Sequence, residues 1–449
     1  MSADYLDLAS DVTRMAKAKG ADDCDCFIET GRELTIKVRS GEIESIERAS
    51  FRGMGIRFFS GQRLGFAFTT DFSKASIADL IDRCRAFAAA ATPDPDAGIP
   101  DVPASEAQAG DLEINDETID RIPLDEKIGF ALACESAAYD VDKRIRHTYT
   151  TAYGDQRGRI IIARLGRDPV FYDATSFDAF SGPVAEADGE KRMGLWSSDA
   201  RYFADLEPAA SIGENAARRA LAMLGAKTPA TRKAPVVFEP LTGCEVVADV
   251  FHGLEGQRVL RGMSFLKDKL GKRVGSRLAT FVDDGRMPRR MGSRPFDVEG
   301  IPTKRLPAIA RGVLKAYFYD YRSAKKAGTS PTGNARRGFA SIPDVAENNF
   351  YLIPGTTSKD DLLSSVKEGL LVTRMLGFGV NITTGDYSRG AEGMWLRDGK
   401  VSHPVSGVTI ASNLGDLLKG IEAVASDLRF FGRFGSPTFA VGEMTIAGD

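Results

Sequence analysis

Glu245, Asp249 and His252 stand at i, i+4 and i+7 in the run Thr242-Gly-Cys-Glu245-Val-Val-Ala-Asp249-Val-Phe-His252-Gly-Leu-Glu255-Gly256. On a helix, that spacing lines two carboxylates and an imidazole along one face over two turns, a set that could hold a divalent metal and act as an independent, metal-dependent hydrolase. A plainer reading of the same residues is an amphipathic helix that turns Val246, Val247 and Val250 inward and its polar side to solvent or a partner. The plainer reading is favoured, because acidic helix faces are common and zinc also needs fixed supporting groups around its ligands.

Other chemistry is thinly provided. With three histidines in the chain, His147, His252 and His403, histidine-rich zinc sites are nearly excluded. His147 follows Arg144-Ile-Arg146 in a strand-like run and His403 precedes Pro404 near a turn, and both read as ordinary packed or surface residues. The five cysteines (Cys24, Cys26, Cys84, Cys134, Cys244) form no CxxC and read as free, mostly buried thiols. Cys24 and Cys26 flank Asp25 at what looks like the start of a strand, where alternate residues share a face. Gly262-Met-Ser264-Phe-Leu lacks the GxSxG elbow and has no histidine nearby to serve as base. The net charge of −3 argues against a chain whose main business is nucleic acid, and the basic stretch Arg286-Met-Pro-Arg289-Arg290-Met-Gly-Ser-Arg294 reads as a solvated loop.

The elements that must position these residues follow from periodicity. Leu6, Leu8, Val12, Met15 and Ala16 mark a helix over 4–19, closed by Gly20. From Cys24 to Thr70 the period becomes two, with breaks at Gly31-Arg32, Ser40-Gly41 and Ser60-Gly61, which predicts an antiparallel meander. A helix is expected from Lys74 to Ala91, stopped before Thr92-Pro93-Asp94-Pro95 and followed by a loop of about twenty residues. Helix returns over Leu124–Tyr139, strands over Ile145–Leu165 and Val170–Leu195, and an alanine-rich helix over Pro208–Leu224.

The polar, proline-bearing stretch 225–235 reads as a linker, so two domains are expected: 1–224, an α+β domain with an antiparallel sheet and helices, and 236–449, a β-rich domain. Beyond the linker, dense glycine and turn signals such as Asp284-Gly285, Asp398-Gly399 and Ser406-Gly407 point to a large antiparallel, barrel-like sheet. Two helices are expected within it, over Leu241–Leu254 and over Lys359–Leu376, the latter from the stripe Leu362, Leu363, Val366, Leu370 and Met375. Apolar residues at 43% and charged residues at 27% suit a packed chain. The acidic start Met-Ser-Ala-Asp-Tyr-Leu-Asp has no basic segment followed by an apolar one, and no run is long enough to span a bilayer, so a cytoplasmic location without membrane contact is expected.

Several runs, in order along nearly the whole chain, resemble the TldD/PmbA family. They are Gly20-Ala-Asp-Asp, Ser40-Gly41-Glu42-Ile-Glu44 and Thr92-Pro-Asp-Pro95 in the first half. In the second they are His252-Gly-Leu-Glu255-Gly-Gln-Arg258-Val-Leu-Arg-Gly262-Met-Ser264-Phe265-Leu, Phe296-Asp297-Val-Glu299-Gly300, Thr332-Gly333-Asn334-Ala335, Gly385-Asp386-Tyr-Ser388-Arg389-Gly390-Ala391-Glu-Gly393 and Met444-Thr-Ile-Ala-Gly448. The resemblance implies a metallopeptidase fold with two arms. In the TldD arm, two histidines of HExxxH and a cysteine near the C-terminus hold zinc while the glutamate serves as general base. Laid on that motif, this chain keeps His252, with Val247 where the first histidine would stand and Ala248 where the glutamate would. Phe431-Gly-Arg-Phe-Gly435-Ser-Pro, where the cysteine would be sought, has none.

A valine cannot bind a metal and an alanine cannot move a proton, so the pattern resembles the PmbA (TldE) arm. What that implies is a noncatalytic partner subunit. It would form a heterodimer with a zinc-bearing TldD-like subunit, or a homodimer alone, and carry no cofactor itself. The complex would act on unfolded peptide, and in some cases mature peptide antibiotics. His252 and the segment Gly385, Asp386, Ser388, Arg389 and Gly390 are expected to line the chamber that holds substrate, captured as an added strand. A tight turn at Gly385-Asp386 is the competing reading of that segment. A regulatory protein that modulates DNA gyrase without proteolysis is the remaining alternative.

Overall fold

The alternating residues between 24 and 70 supply the first strands of one large sheet. In the computed structural model, which describes residues 2–102, 112–377 and 379–448, α1 (Ser2–Ala18) leads into β1 (Asp23–Arg39), β2 (Glu42–Ser60) and β3 (Arg63–Thr69). Then come α2 (Lys74–Ala90), α3 (Leu124–Val141), β4 (Ile145–Arg164), β5 (Val170–Ala187), β6 (Glu190–Met193), β7 (Trp196–Ala200) and α4 (Ala209–Ala222). The seven strands run in the order β3-β2-β1-β4-β5-β6, with β7 also on β5, and every pair is antiparallel. The long loop expected after Pro95 includes 103–111, which lie outside the described residues.

The two faces of β1 have different destinations. Even-numbered Cys24, Cys26 and Ile28 pack under α1 and α2 against Val12, Ala16, Leu80 and Ile81, and Leu34, Ile36 and Val38 continue that face toward Ala131 of α3. Each large side chain so buried contributes roughly 1.5–3 kcal/mol. Odd-numbered Phe27 faces the other way and joins Phe296, Val298 and Ala335 from the second half of the chain. Gly31 does not break the strand. β1 runs through it because a Cβ there would lie 2.6 Å from the Phe51 ring and 2.8 Å from the Arg157 carbonyl oxygen, so glycine marks a close approach, not a turn.

The second half opens with β8 (Arg232–Phe238), α5 (Pro240–Leu254), α6 (Gly256–Leu260), β9 (Phe281–Asp284), β10 (Arg305–Ala310), β11 (Val313–Leu314) and α7 (Tyr321–Lys326). It continues through β12 (Ala335–Arg336), β13 (Asp344–Val345), β14 (Phe350–Leu352), α8 (Lys359–Ser365), β15 (Glu368–Leu376), β16 (Val380–Asn381) and β17 (Asp386–Arg397). β18 (Lys400–Asn413), α9 (Leu414–Lys419), β19 (Ile421–Val424), β20 (Arg429–Phe431), β21 (Phe434–Ser436) and β22 (Phe439–Ala447) complete it. Strands β15-β8-β22-β18-β17 are joined in that order and β17 pairs back onto β15, closing a barrel. A separate sheet runs β11-β10-β9-β14-β21-β20. Helix α5 lies between the two. Val246, Val247, Val250, Phe251 and Leu254 share one core with Phe238, Leu370 and Val372 of the barrel and Phe281 and Phe350 of the sheet.

Two expectations change. Of the stretch 225–235 read as linker, residues 232–235 already belong to β8, paired with β22. The apolar stripe expected to make one helix over Lys359–Leu376 divides into α8 and the strand β15. Leu370 and Val372 are needed in the barrel, where they meet Val236 and Phe238 in parallel and Trp395 and Gly393 antiparallel. A strand buried on both faces reads as a continuous apolar run and cannot be told from a helix by periodicity alone. Among the described residues, no helix is long and apolar enough to cross a membrane.

Candidate functional site

Helix α5 starts with Pro240 at its first turn, where the missing N–H costs nothing. Its apolar face is buried as expected, and its polar face meets β17. Arg389 of β17 projects onto that face. Its Nη2 donates to Glu245 Oε2 at 2.5 Å, and its Nη1 lies 3.9 Å from Asp249 Oδ2. A guanidinium therefore sits where two carboxylates of a metal triad would need the metal. The third member, His252, turns away from the pair. Its Nδ1 is 2.6 Å from Glu255 Oε1, and Arg258 Nε donates to the other oxygen of Glu255.

The electrostatics follow from burial. Burial pushes the Asp249 carboxyl up to about 6, with Arg389 and then His252 pulling it back. Glu245 is also raised, by burial first, despite its bond to Arg389. His252 is raised chiefly by its hydrogen bond to Glu255, which holds the imidazolium form.

A carboxyl whose folded pKa is raised weakens the fold as pH climbs from its unfolded value near 4 through the folded one. A histidine whose pKa is raised gives stability that is full below its unfolded value near 6.5 and is lost above the folded one. Both lower stability with rising pH, in adjacent windows. Asp249→Asn is accordingly expected to flatten the fall in urea-denaturation midpoint between about pH 4 and pH 6 relative to the wild type; equal slopes for both proteins would contradict this.

The positions matched to HExxxH are not brought together. Val247 is fully buried in the core, whereas the His252 side chain is 43% exposed. Five positions along an α-helix turn side chains about 140° apart, which accounts for the difference. The loop after Phe431 does reach α5, but on its core side: Cys244 Sγ lies 3.2 Å from the Phe434 carbonyl oxygen, and the Phe434 ring meets Phe251. Burial pushes the Cys244 thiol up to about 12, so it is held neutral and unsuited to a metal. Among the described residues, no group of three or more His, Cys, Asp or Glu is placed to hold a metal ion. The residues present therefore do not fit zinc.

The segment 385–390 divides. Gly385 has φ +83° and a Cβ there would lie 2.9 Å from Asn413 Oδ1, so it makes a tight turn. Asp386 and Ser388 are exposed on β17, with Thr384 Oγ1 donating to Asp386 Oδ2 at 2.7 Å. Gly390 pairs with Leu376. Of these residues, Arg389 and Gly390 reach the vicinity of α5 and β15, Gly385 makes the turn, and Asp386 and Ser388 lie on β17 with their side chains exposed.

His147 and His403 stand apart, beside Glu186 and Ser402. The basic stretch 286–294 is a loop exposed at Pro288, Arg289 and Arg290, as the solvated reading has it, but it is tied down by its arginines. Arg289 donates to Glu113 and lies over Tyr202, and Arg294 is buried against Asn348.

Two further features are invisible in any single run of sequence. At the junction of the halves, Arg57 donates to Asp25 through Nε (3.0 Å) and Nη2 (2.5 Å) and to Glu299 Oε1 at 2.9 Å. Arg337 Nη2 donates to Asp25 Oδ1 at 3.1 Å, with its guanidinium over the Phe27 ring. All four side chains are at least 95% buried. Burial pushes the Asp25 carboxyl up, but Arg337 and Arg57 outweigh it and hold the group below the ordinary carboxylate range. The second feature is a cavity of about 420 Å³ between β6–β7, α4, the start of α5 and the end of β15.

Comparison with known proteins shows the family and the fold. The chain matches three family models in order: PmbA/TldA metallopeptidase domain 1 over residues 24–90, the PmbA/TldA metallopeptidase central domain over 117–224, and the PmbA/TldA metallopeptidase C-terminal domain over 231–448. It is 30% identical to the metalloprotease PmbA of Escherichia coli O157:H7 over 97% of this chain and 95% of that one. It is 27% identical to a metalloprotease TldD homolog of Haemophilus influenzae over 91% and 86%. Its fold matches a putative modulator of DNA gyrase from Bacteroides thetaiotaomicron with a TM-score of 0.90 at 24% identity, covering 99% and 98% of the chains. It also matches TldE from Thermococcus kodakarensis with a TM-score of 0.86 at 20% identity, covering 98% and 100%. At those identities the two structures speak for the fold alone.

Proposed function

The chain belongs to the PmbA/TldD metallopeptidase family, and from that premise we propose that it is a noncatalytic subunit of a cytoplasmic metallopeptidase complex, paired with a zinc-bearing TldD-like chain and acting on unfolded peptides. The observation that carries this reading is the composition of α5. The position matched to the first histidine is Val247, sunk in the core. The carboxylates that could replace it are engaged by Arg389, and His252 is engaged by Glu255. A protein cation already neutralises the acidic pair, so a metal entering there would meet like-charge repulsion. The fold is kept while the hydrolytic residues are replaced, as expected of a chain retained for pairing and for shaping a substrate chamber.

That relatives of this chain are metalloproteases by name favours a second reading in which it hydrolyses peptides by itself through Glu245, Asp249 and His252. A peptidase assay on an unfolded substrate separates the two, with this chain alone, a TldD-like partner alone, and both together. We expect cleavage by the mixture well above the sum of the separate rates and none by this chain alone. Chelator-sensitive cleavage by this chain alone, lost on His252→Ala, would overturn the subunit reading.

A further inference from the structure

We propose that the cavity between β6–β7 and β15 is a peptide-binding site, where an extended segment pairs along Thr373–Gly377 and inserts an uncharged apolar side chain against Leu195 and Trp196. The proposal rests on the reading that this chain handles unfolded peptide and adds where and by what chemistry it does so.

The topology opens the edge. β15 is paired with β17 from Glu368 to Leu376, but on its other side β8 reaches only Leu370, Leu371 and Val372 before turning into α5. From Thr373 onward that edge has no strand partner among the described residues. A bulge between Val372 and Arg374 marks the place where the second partner ends, and bulges re-aim the side chains that follow them. Thr373 through Gly377 form one wall of the cavity. Unpaired edge groups are a template for an added strand, with backbone bonds giving affinity and side-chain pockets giving selectivity. Two edge carbonyls already accept from side chains, Thr373 from Arg219 and Gly377 from Arg389, and each keeps a second lone pair.

The opposite wall selects the side chain. Met193, Leu195 and Trp196 line the cavity together with Met223 and Leu241, whereas the Met375 side chain is buried in the barrel core beside Tyr387. Trp196 is fixed in place: its Nε1 donates to Glu207 at 3.1 Å, Phe431 meets it edge-on at 5.8 Å, and the guanidinia of Arg429 and Arg219 lie over the ring. The charged groups of the lining are internally balanced. Arg219 pairs with Glu239, Arg374 lies 3.6 Å from Glu392, and Glu245 pairs with Arg389. No charge is left over to welcome a charged ligand, and a desolvated charge entering such a site would pay a penalty without a partner. Met193 and Met223 make the wall adaptable, so leucine, methionine and phenylalanine should all be accepted.

Trp196 also supplies the assay, because the chain has two tryptophans and the other, Trp395, is buried in the barrel. The full chain alone is titrated with capped peptides of about ten residues built from serine, threonine and glycine, carrying one central leucine or one central aspartate. We expect the leucine peptide to shift the emission saturably and to bind at least about tenfold more tightly than the aspartate peptide. Leu195→Glu should weaken leucine-peptide binding by a similar factor, and Trp196→Phe should abolish the emission change. Equal affinity for both peptides, or no saturable change with the wild type, overturns the proposal, and these outcomes do not depend on how any variant folds. Because binding is read on this chain without any peptidase, failure here leaves the subunit assignment intact. Conversely, an inactive mixture would leave this site standing.

Discussion

Asp25→Ala is expected to destabilise the protein by about 3–5 kcal/mol, among the largest effects of any single substitution outside the apolar core. Arg337, whose side chain is fully buried, would lose its hydrogen-bonded carboxylate and keep only the face of Phe27 and the more distant charge of Glu299. Arg57 would retain Glu299 as its one carboxylate partner, beside the Phe59 ring. The cost arises from the orphaned charge, so removing the charge as well should recover much of it, because a buried pair replaced by apolar groups of similar volume is often close to neutral. Asp25→Ala combined with Arg337→Met is therefore expected to be more stable than Asp25→Ala by itself, a coupling that urea denaturation of the four proteins in a double-mutant cycle would read directly. A loss below about 1 kcal/mol for Asp25→Ala, or strict additivity, would show that the cluster is not coupled in this way.

Rebuilding the lost motif is expected to fail on two counts. Val247→His with Ala248→Glu places an imidazole in a fully buried site, in the apolar core that also holds Phe238, Leu370 and Val372. It has no partner there, and the shape change adds strain, for a combined cost of about 2–5 kcal/mol. The new histidine would project toward the core while His252 stays at the half-exposed surface, engaged by Glu255. With His252 held by Glu255 and no third ligand in the stretch after Phe431, too few donors are left to complete a tetrahedral site. Metal analysis after gel filtration should find zinc well below one per chain, and stoichiometric zinc would refute this account of why the site is silent.

How legible these features were depends on sequence distance. The strands of 24–70 and the helices over 74–90, 124–141 and 209–222 were readable, because their burial is set by neighbours at period two or 3.6. The polar face of α5 was readable for the same reason. Its occupant was not: Arg389 lies 144 positions from Glu245, and nothing in the local run around 385–390 distinguishes a substrate-lining arginine from one that caps an acidic helix face. The misread helix over 359–376 has the same cause, since the partner that makes β15 a strand is β8, far back in the chain. The cavity and the Asp25 cluster each draw side chains from both halves, and their residues look unremarkable in sequence. A signal was present at Cys24-Asp25-Cys26, where a charged residue between two buried thiols must face a different environment from theirs.

The closing of the barrel has a consequence for how the chain is made. β8 is among the first elements of the second half to leave the ribosome, yet its two edges wait for β15 and for β22, the latter about two hundred residues later. The sheet of residues 23–200 is complete within itself before that. Synthesis at roughly 5–20 residues per second leaves β8 exposed for about 10–40 seconds. During that interval an apolar strand with one or both edges bare is a target for chaperones and for stray pairing with other chains. The folded N-terminal sheet, already presenting Phe27 and Asp25, is the one finished surface on which the nascent second half can organise.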